Sequence, residues 1–418
     1  MNNPFVYGKE VSGYQFYDRT NEADELYRHM KDLESFSSTV RPRRYGKTSL
    51  VHKVLTRLKA EGCDCLLFDI SKVASLEKFC ESFASAVYTI YGGLPEIGNR
   101  LARYLSHLHP TIGVSLTGFT IRFDYGERMG EMELSEVLDL PEKLAKDAGG
   151  RPLVIAFDEF QEVAAFSSRI PVEAVFRSVI QTHRAARYVF FGSKTHLMKR
   201  MFGGPTRPFY KAAFNMKIGK PPRAESEEFL VSRFEAEGIS IRPEEINRII
   251  EVSENIPYYV QAVSAYAFMS VERRRASQVV VADVDFAVER LVESESDYYE
   301  ELLHGLSSAQ RSVVEALAAE PVARFDETYR RRHALPGLST VHSCLVELTL
   351  RGIVDKEDGK QRLDDRQEAH AARPHRDDLG MAAEAPHRVQ RRQHQRRGDD
   401  VVEIRGEIGT EVQGRITN

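Results

Sequence analysis

Gly46, Lys47 and Thr48 follow one another between a short strand ending at Val40 and a stretch of helical periodicity from Lys47 to Glu61. No other feature restricts the fold of this chain as much. A backbone that wraps an anion must turn its N–H groups inward, and a helix N-terminus adds partial positive charge at the same point. Gly46 lets the backbone approach phosphate oxygens without a Cβ clash. Lys47 is placed to span a β- and a γ-phosphate, and Thr48 to put its hydroxyl on Mg²⁺. The run matches the last three positions of G-x-x-x-x-G-K-[ST], while Arg41 stands where the first glycine is expected. Arg41 cannot take positive φ cheaply, so the entrance of the loop needs another geometry. Pro42, Arg43, Arg44, Tyr45 and Ser49 complete the expected phosphate-binding segment. A triplet of this kind also arises by chance before a helix, so a second motif is required.

That motif is Leu153-Val154-Ile155-Ala156-Phe157-Asp158-Glu159, an apolar run that ends in two carboxylates. Such a run fits a central strand of a parallel sheet covered on both faces. Adjacent acids at its C-terminal end fall where α/β sheets bind ligands. Asp158 is expected to hold Mg²⁺ through water and Glu159 to polarise an attacking water as general base. A following strand, Tyr188–Phe191, leads into Gly192-Ser193-Lys194-Thr195-His196. Ser193 is a candidate sensor of the γ-phosphate or the water, and a helix N-cap by Ser193 or Thr195 is the equally plain alternative. Arg200 and Arg207 are candidates for reaching a neighbour's γ-phosphate, against an ordinary surface role. His183 and His196 read as surface or capping histidines.

The surrounding pattern alternates helix and strand up to about residue 220. Helices are expected over 22–31, 47–61, 76–91, 131–148 and 172–183, and a hairpin over 112–124 around Gly118. This is a doubly wound α/β domain. After Lys220-Pro221-Pro222 the periodicity is helical only, over 225–237, 243–254, 258–275 and 281–295, which gives a separate all-α domain at 221–300. Residues 301–360 hold three short helical stretches and a turn-and-strand cue at Gly352-Ile353-Val354, the size and order of a winged helix. In that reading the helix from Ser339 is the recognition helix, and Arg330-Arg331-Arg332-His333 could meet phosphates. Few base-reading side chains stand on it, so DNA and protein partners both stay open. Residues 361–418 carry no periodic apolar face. They read as a disordered tail or as out-of-frame translation, a basic nucleic-acid tail being weakened by its interspersed acids.

The 418 residues carry a formal net charge of -4, so the chain as a whole is not a binder of polyanions. The 4 cysteines form no C-x-x-C pair and indicate neither a zinc site nor a disulfide framework. No apolar stretch approaches the length of a membrane span, and the N-terminus lacks a signal-peptide pattern. The expected location is cytoplasmic.

Taken in order, Phe16-Tyr17-Asp18-Arg19-x-x-Glu22, Arg41-Pro42-Arg43-Arg44-Tyr45-Gly46-Lys47-Thr48-Ser49-Leu50, Phe157-Asp158-Glu159-Phe160-Gln161, Gly192-Ser193, Arg207-Pro208-Phe209-Tyr210 and Asn255-Ile256-Pro257-Tyr258-Tyr259-Val260-Gln261 give the chain a family resemblance. From residue 1 to about 360 it resembles the archaeal-type ATPases, P-loop proteins of the broader AAA+/STAND group. The resemblance implies an ASCE-type P-loop core, a helical lid and a winged helix, with ATP rather than GTP as nucleotide; no N-K-x-D run for guanine occurs. It implies Asp18 and Arg19 near the adenine, and Pro257 as the lid proline that feels nucleotide state, with Asn255 in place of that motif's glycine. It also tolerates a first loop residue other than glycine. Where the family continues with an apolar D-P segment, this chain has Leu363-Asp364-Asp365-Arg366, which favours the out-of-frame reading. The expected function is a Mg²⁺-dependent ATPase acting as a switch, able to assemble with copies of itself. A nucleotide-gated DNA-binding regulator and a nucleotide-binding scaffold without turnover are the alternatives.

Overall fold

The computed structural model describes residues 2–8, 19–31, 37–40, 44–91, 97–115, 118–124, 129–216, 218–322, 324–357 and 360–363. Asp18, Arg41, Pro42, Arg43 and the segment 364–418 lie outside the described residues. Five parallel strands form the central sheet: β1 (Ser37–Val40), β2 (Asp64–Asp69), β5 (Leu153–Asp158), β6 (Ala186–Gly192) and β7 (Phe214–Met216), in the spatial order β2-β5-β6-β1-β7. One strand, β6, therefore separates the strand before the glycine-lysine-threonine turn from the acidic strand.

Because side chains alternate between the two covered faces, the central strands β5 and β6 are nearly continuous apolar runs. Leu153, Ile155, Phe157, Tyr188 and Phe190 enter one core, under α3 (Leu76–Tyr91), α5 (Glu131–Asp147), α6 (Val172–Ile180) and α7 (Thr195–Gly203). Val154, Ala156, Val189 and Phe191 enter the opposite core, under α1 (Thr20–Lys31) and α2 (Lys47–Ala60). A helix α4 (Ile97–Tyr104) and a hairpin of β3 (Thr111–Ser115) with β4 (Gly118–Arg122) are inserted between α3 and α5. The hairpin lies along α3, where the Ser85 hydroxyl accepts from the Ile121 amide at 2.8 Å and Thr89 from Phe119 at 3.3 Å.

The chain then becomes helical: α8 (Arg223–Ala236), α9 (Pro243–Val252), α10 (Pro257–Arg274) and α11 (Val281–His304). Their core also takes in Phe5 and Tyr45. The N-terminal segment is pinned here. Asn3 donates to the Ala265 carbonyl, the Val6 amide donates to Gln261, and Phe5 packs on Phe234. Three further helices, α12 (Ser308–Ala319), α13 (Glu327–Arg332) and α14 (Leu338–Leu350), share a fourth core with Val354 of the antiparallel pair β8 (Val354–Glu357) and β9 (Lys360–Leu363).

Several expectations are corrected. The helix expected over 172–183 stops at Ile180, and His183 turns inward to lie buried, not at the surface. Its Nδ1 is 2.7 Å from the Tyr188 hydroxyl and its Nε2 is 3.1 Å from Asp139. The helix expected to end at 295 continues to His304, so it crosses the boundary drawn at residue 300. The boundary drawn at 360 falls inside β9. Helix α4 and the three-residue edge strand β7 were not foreseen, because segments that short carry too little periodicity.

Candidate active site

The C-terminal ends of β5 and β6 and the N-terminus of α2 converge at one end of the sheet. Gly46 is the N-cap of α2 in the left-handed region, at φ 77 and ψ 23, which glycine adopts without strain. The first turn of α2 has neither a side-chain cap nor an acidic residue. A helix N-terminus carries partial positive charge, which favours an anion at this end. Arg44, two residues earlier, also has positive φ, at 75, a conformation that strains a residue with a Cβ.

Two carboxylates face this turn and behave differently. Asp158 ends β5, and its Oδ2 accepts from the Thr48 hydroxyl at 3.1 Å while Oδ1 accepts from the Glu159 amide at 2.8 Å. Burial, then the adjacent Glu159 charge, pushes the Asp158 carboxyl up to about 6. Burial also pushes Glu159 upward, but its partners outweigh it and hold the carboxyl below its ordinary value. Those partners are the Gln161 amide, the Ser193 N–H at 3.1 Å, the Ser193 hydroxyl at 2.8 Å and the Lys47 charge. Glu159 is therefore held in its charged form, while Asp158 bears the cost of two adjacent acids. Glu159 itself sits at φ 50, a further non-glycine residue held in the left-handed region.

Ser193 thus bonds to Glu159; it does not cap α7, whose N-cap is Lys194 without a side-chain bond. Gln161 closes the Phe157–Gln161 motif, and its role here is not one that the motif assigns. It is 1% exposed and donates to both Glu159 and Glu162, and its Oε1 has no partner among the described residues. Gly192 makes room for it, since a Cβ there would collide with Gln161 Oε1 and come within 3.2 Å of Met198. The position of Gln161 two residues after Glu159, opposite a glycine at the end of β6, is the signal that could have shown that role.

The remaining expected site residues are distributed around the turn. Lys47 and Ser49 are buried in the first turn of α2. Arg19, 1% exposed, donates to the Tyr45 carbonyl at 3.0 Å and pairs with Glu22 at 3.2 Å, so it props the turn from behind. Tyr45 buries its ring in the core of the helical region. The Arg44 guanidinium leaves the turn altogether and pairs with Glu295 of α11. Pro257 is the first residue of α10, and the next amide, Tyr258 N–H, donates to the Arg44 carbonyl at 3.3 Å. Arg207 pairs with Glu173 at 2.7 Å, whereas Arg200 is exposed on α7.

The donor set suits a hard divalent cation. The Thr48 hydroxyl and the Asp158 carboxylate offer two oxygens at one point, leaving other positions to water and phosphate oxygens, the preference of Mg²⁺. Among the described residues no cluster of three His, Cys, Asp or Glu side chains forms a closed metal cage.

No protein-family model and no curated protein matches the chain. Solved structures do. A Walker-type ATPase of Pyrococcus abyssi superposes with a TM-score of 0.63 at 16% identity, over 88% of this chain and 99% of that one. The ORC2 protein of Aeropyrum pernix, solved as ADPNP–ADP complexes, gives 0.57 at 15% identity, over 88% and 94%. At such identities the likeness is one of fold.

Proposed function

Because the chain has the fold of the AAA+ P-loop ATPases, we propose that it binds ATP with Mg²⁺ at the turn before α2 and hydrolyses it. The single observation that carries this is the convergence of Thr48, Asp158, Glu159 and Ser193 at the end of the sheet. Hydrogen bonds link Thr48 to Asp158 and Ser193 to Glu159, across segments far apart in sequence.

In this reading the backbone from Arg44 to Thr48 and the N-terminus of α2 receive the phosphates. Lys47 neutralises charge that builds up on the β- and γ-phosphoryl oxygens. Thr48 and Asp158 would hold Mg²⁺, which supplies electrostatic stabilisation of phosphoryl oxygens when bound. Glu159, kept ionised, takes a proton from water as that water attacks the γ-phosphorus and the bond to the β,γ-bridging oxygen breaks. Ser193 and Gln161 orient the Glu159 carboxylate. Ser193, bonded to Glu159 through both its N–H and its hydroxyl, is the residue we assign to sensing the γ-phosphate or the water.

Calorimetric titration with Mg²⁺-ATP tests the binding half. Saturable binding is expected, weakened at least tenfold in Lys47→Ala and much weaker for GTP. Equal binding by Lys47→Ala would place the nucleotide elsewhere or nowhere.

The helices α8–α11 serve as a lid over the nucleotide, and α12–α14 with β8–β9 as a winged helix. Arg331 and Arg332 pair with Glu327 and Glu320, and His333 lies 3.5 Å from Glu320. The outward side of α14 offers Leu338, Ser339, Thr340, His342, Ser343, Val346, Glu347 and Leu350, with no Arg, Lys, Asn or Gln among them to make a two-pronged contact with a purine. That surface favours a protein partner over DNA. Arg200 is the better placed arginine for a neighbouring copy, since Arg207 is committed to Glu173.

A further inference from the structure

Within the phosphate-binding turn, one side chain is spent on something other than phosphate. The Arg44 guanidinium makes a two-pronged ion pair with Glu295, Nη2 to Oε1 at 3.0 Å and Nη1 to Oε2 at 3.3 Å. It lies over the rings of Tyr258 at 4.2 Å and Tyr259 at 4.9 Å and also donates to the Tyr259 hydroxyl. Glu295 is itself held by the Tyr258 hydroxyl at 3.2 Å and the Tyr299 hydroxyl at 2.9 Å. Both ends of the pair are largely withdrawn from water, at 16% and 15% side-chain exposure, so neither charge can lose its partner cheaply. The fork on a carboxylate, with stacking on two rings, is specific to arginine.

The partner helix has an unusual reach. Helix α11 runs unbroken for 24 residues, about 36 Å at the standard rise. Its first half gives Val284, Ala287 and Leu291 to the core of α8–α11. Its last turn lays Leu302 and Leu303 on the core of α12–α14. Arg351, just past α14, donates to the Gly305 carbonyl at the end of α11 at 3.3 Å. Glu295 lies between these two attachments.

We propose that Arg44 is a positioning residue which, through Glu295, ties the strained turn of the phosphate loop to α11, so that nucleotide in the loop and the setting of α12–α14 are one equilibrium. The proposal rests on the nucleotide site argued above. Phosphates entering the loop act on the backbone around Arg44, and the ion pair passes the change to a rigid rod. By linkage, whatever resets α12–α14 must change nucleotide affinity by the same factor.

The test is a double-mutant cycle on the full chain, with Arg44→Ala, Glu295→Gln and the double variant. Mg²⁺-ATP affinity is measured together with hydrogen exchange over residues 308–350, with and without nucleotide. If the pair acts as one unit, each single variant weakens binding about tenfold and the double variant no further, by the logic of such cycles. The nucleotide-dependent change in exchange over 308–350, present in the unaltered protein, disappears in each variant. Effects that multiply to about a hundredfold would overturn the proposal, as would an exchange change that survives in the variants or is missing from the unaltered protein. Loss of affinity in Arg44→Ala with Glu295→Gln unaffected would make Arg44 a direct phosphate ligand instead. Where Arg44→Ala does not fold, Arg44→Lys closes the cycle, since lysine keeps the charge and loses the fork. Failure of the unaltered protein to bind any nucleotide would instead sink the site on which the proposal rests.

Discussion

At the scale of residues, the site depends on two neighbouring carboxylates kept apart in acidity. Asp158 is raised to about 6 in the fold, above the ordinary value it regains on unfolding. Its contribution to stability is therefore complete in acid and is lost as pH climbs from about 4 through 6. Asp158→Asn removes that loss. In metal-free solution the variant should be more stable than the unaltered protein above pH 6, by on the order of 3 kcal/mol, and indistinguishable near pH 3. Urea midpoints across that range check this, and Mg²⁺ should stabilise only the unaltered protein. Asp158 and Glu159 were legible in the sequence because an apolar strand ending in two acids is a local signal. The role of Gln161 was not, because it depends on Gly192, a residue of another strand. The partner of Arg44 was still less legible, since Glu295 stands 251 residues away and nothing local to either residue marks the pair.

Among elements, the hydrophobic period located most of the helices and the sheet strands that support the site. Leu76–Tyr91 reads as a helix because its apolar positions recur at helical spacing, and those positions are the buried ones. Boundaries fixed by tertiary contacts escaped. Helix α6 stops early because the next turn carries the amides of Arg184, Ala185 and Ala186 onto Glu142 of α5. This buried carboxylate fastens the entry of β6 to α5. Burial pushes its pKa up, but the bond from Lys146 and those three amides outweigh it and hold the carboxyl below its ordinary value. Its stabilisation is therefore present at neutral pH and lost as pH falls, since the unfolded chain takes up the proton first. Glu142→Gln should cost about 1–3 kcal/mol at pH 7, with the gap to the unaltered protein closing below about pH 4. Thermal melts at both pH values check it.

For the whole molecule, composition and periodicity separated an α/β half from a helical half, and the structure adds how they are joined. Tyr45 and Phe5 belong to the core of α8–α11, although both come from the N-terminal part of the chain. No helix among the described residues is long and apolar enough to cross a membrane. The continuity of α11 past residue 300 and of β9 past 360 moves both boundaries read from the sequence, because a period within one helix does not reveal which core each turn serves. The pairing of the α13 arginines bears on partners at this scale. Duplex DNA should give no shift in gel electrophoresis even at about 50 mM salt, where phosphate contacts are strongest. A salt-sensitive shift would restore DNA as the partner of α12–α14.

The central claim is that Glu159 serves the chemistry and not the binding of nucleotide. Mg²⁺-dependent ATP hydrolysis by the unaltered protein beside Glu159→Gln, with ATP affinity measured on both, tests it most directly. The account predicts turnover in the unaltered protein, a fall of about a hundredfold or more in the variant, as expected when a general base is removed, and ATP affinity retained in both. Equal turnover in the two proteins, or binding without any turnover in the unaltered one, would contradict it.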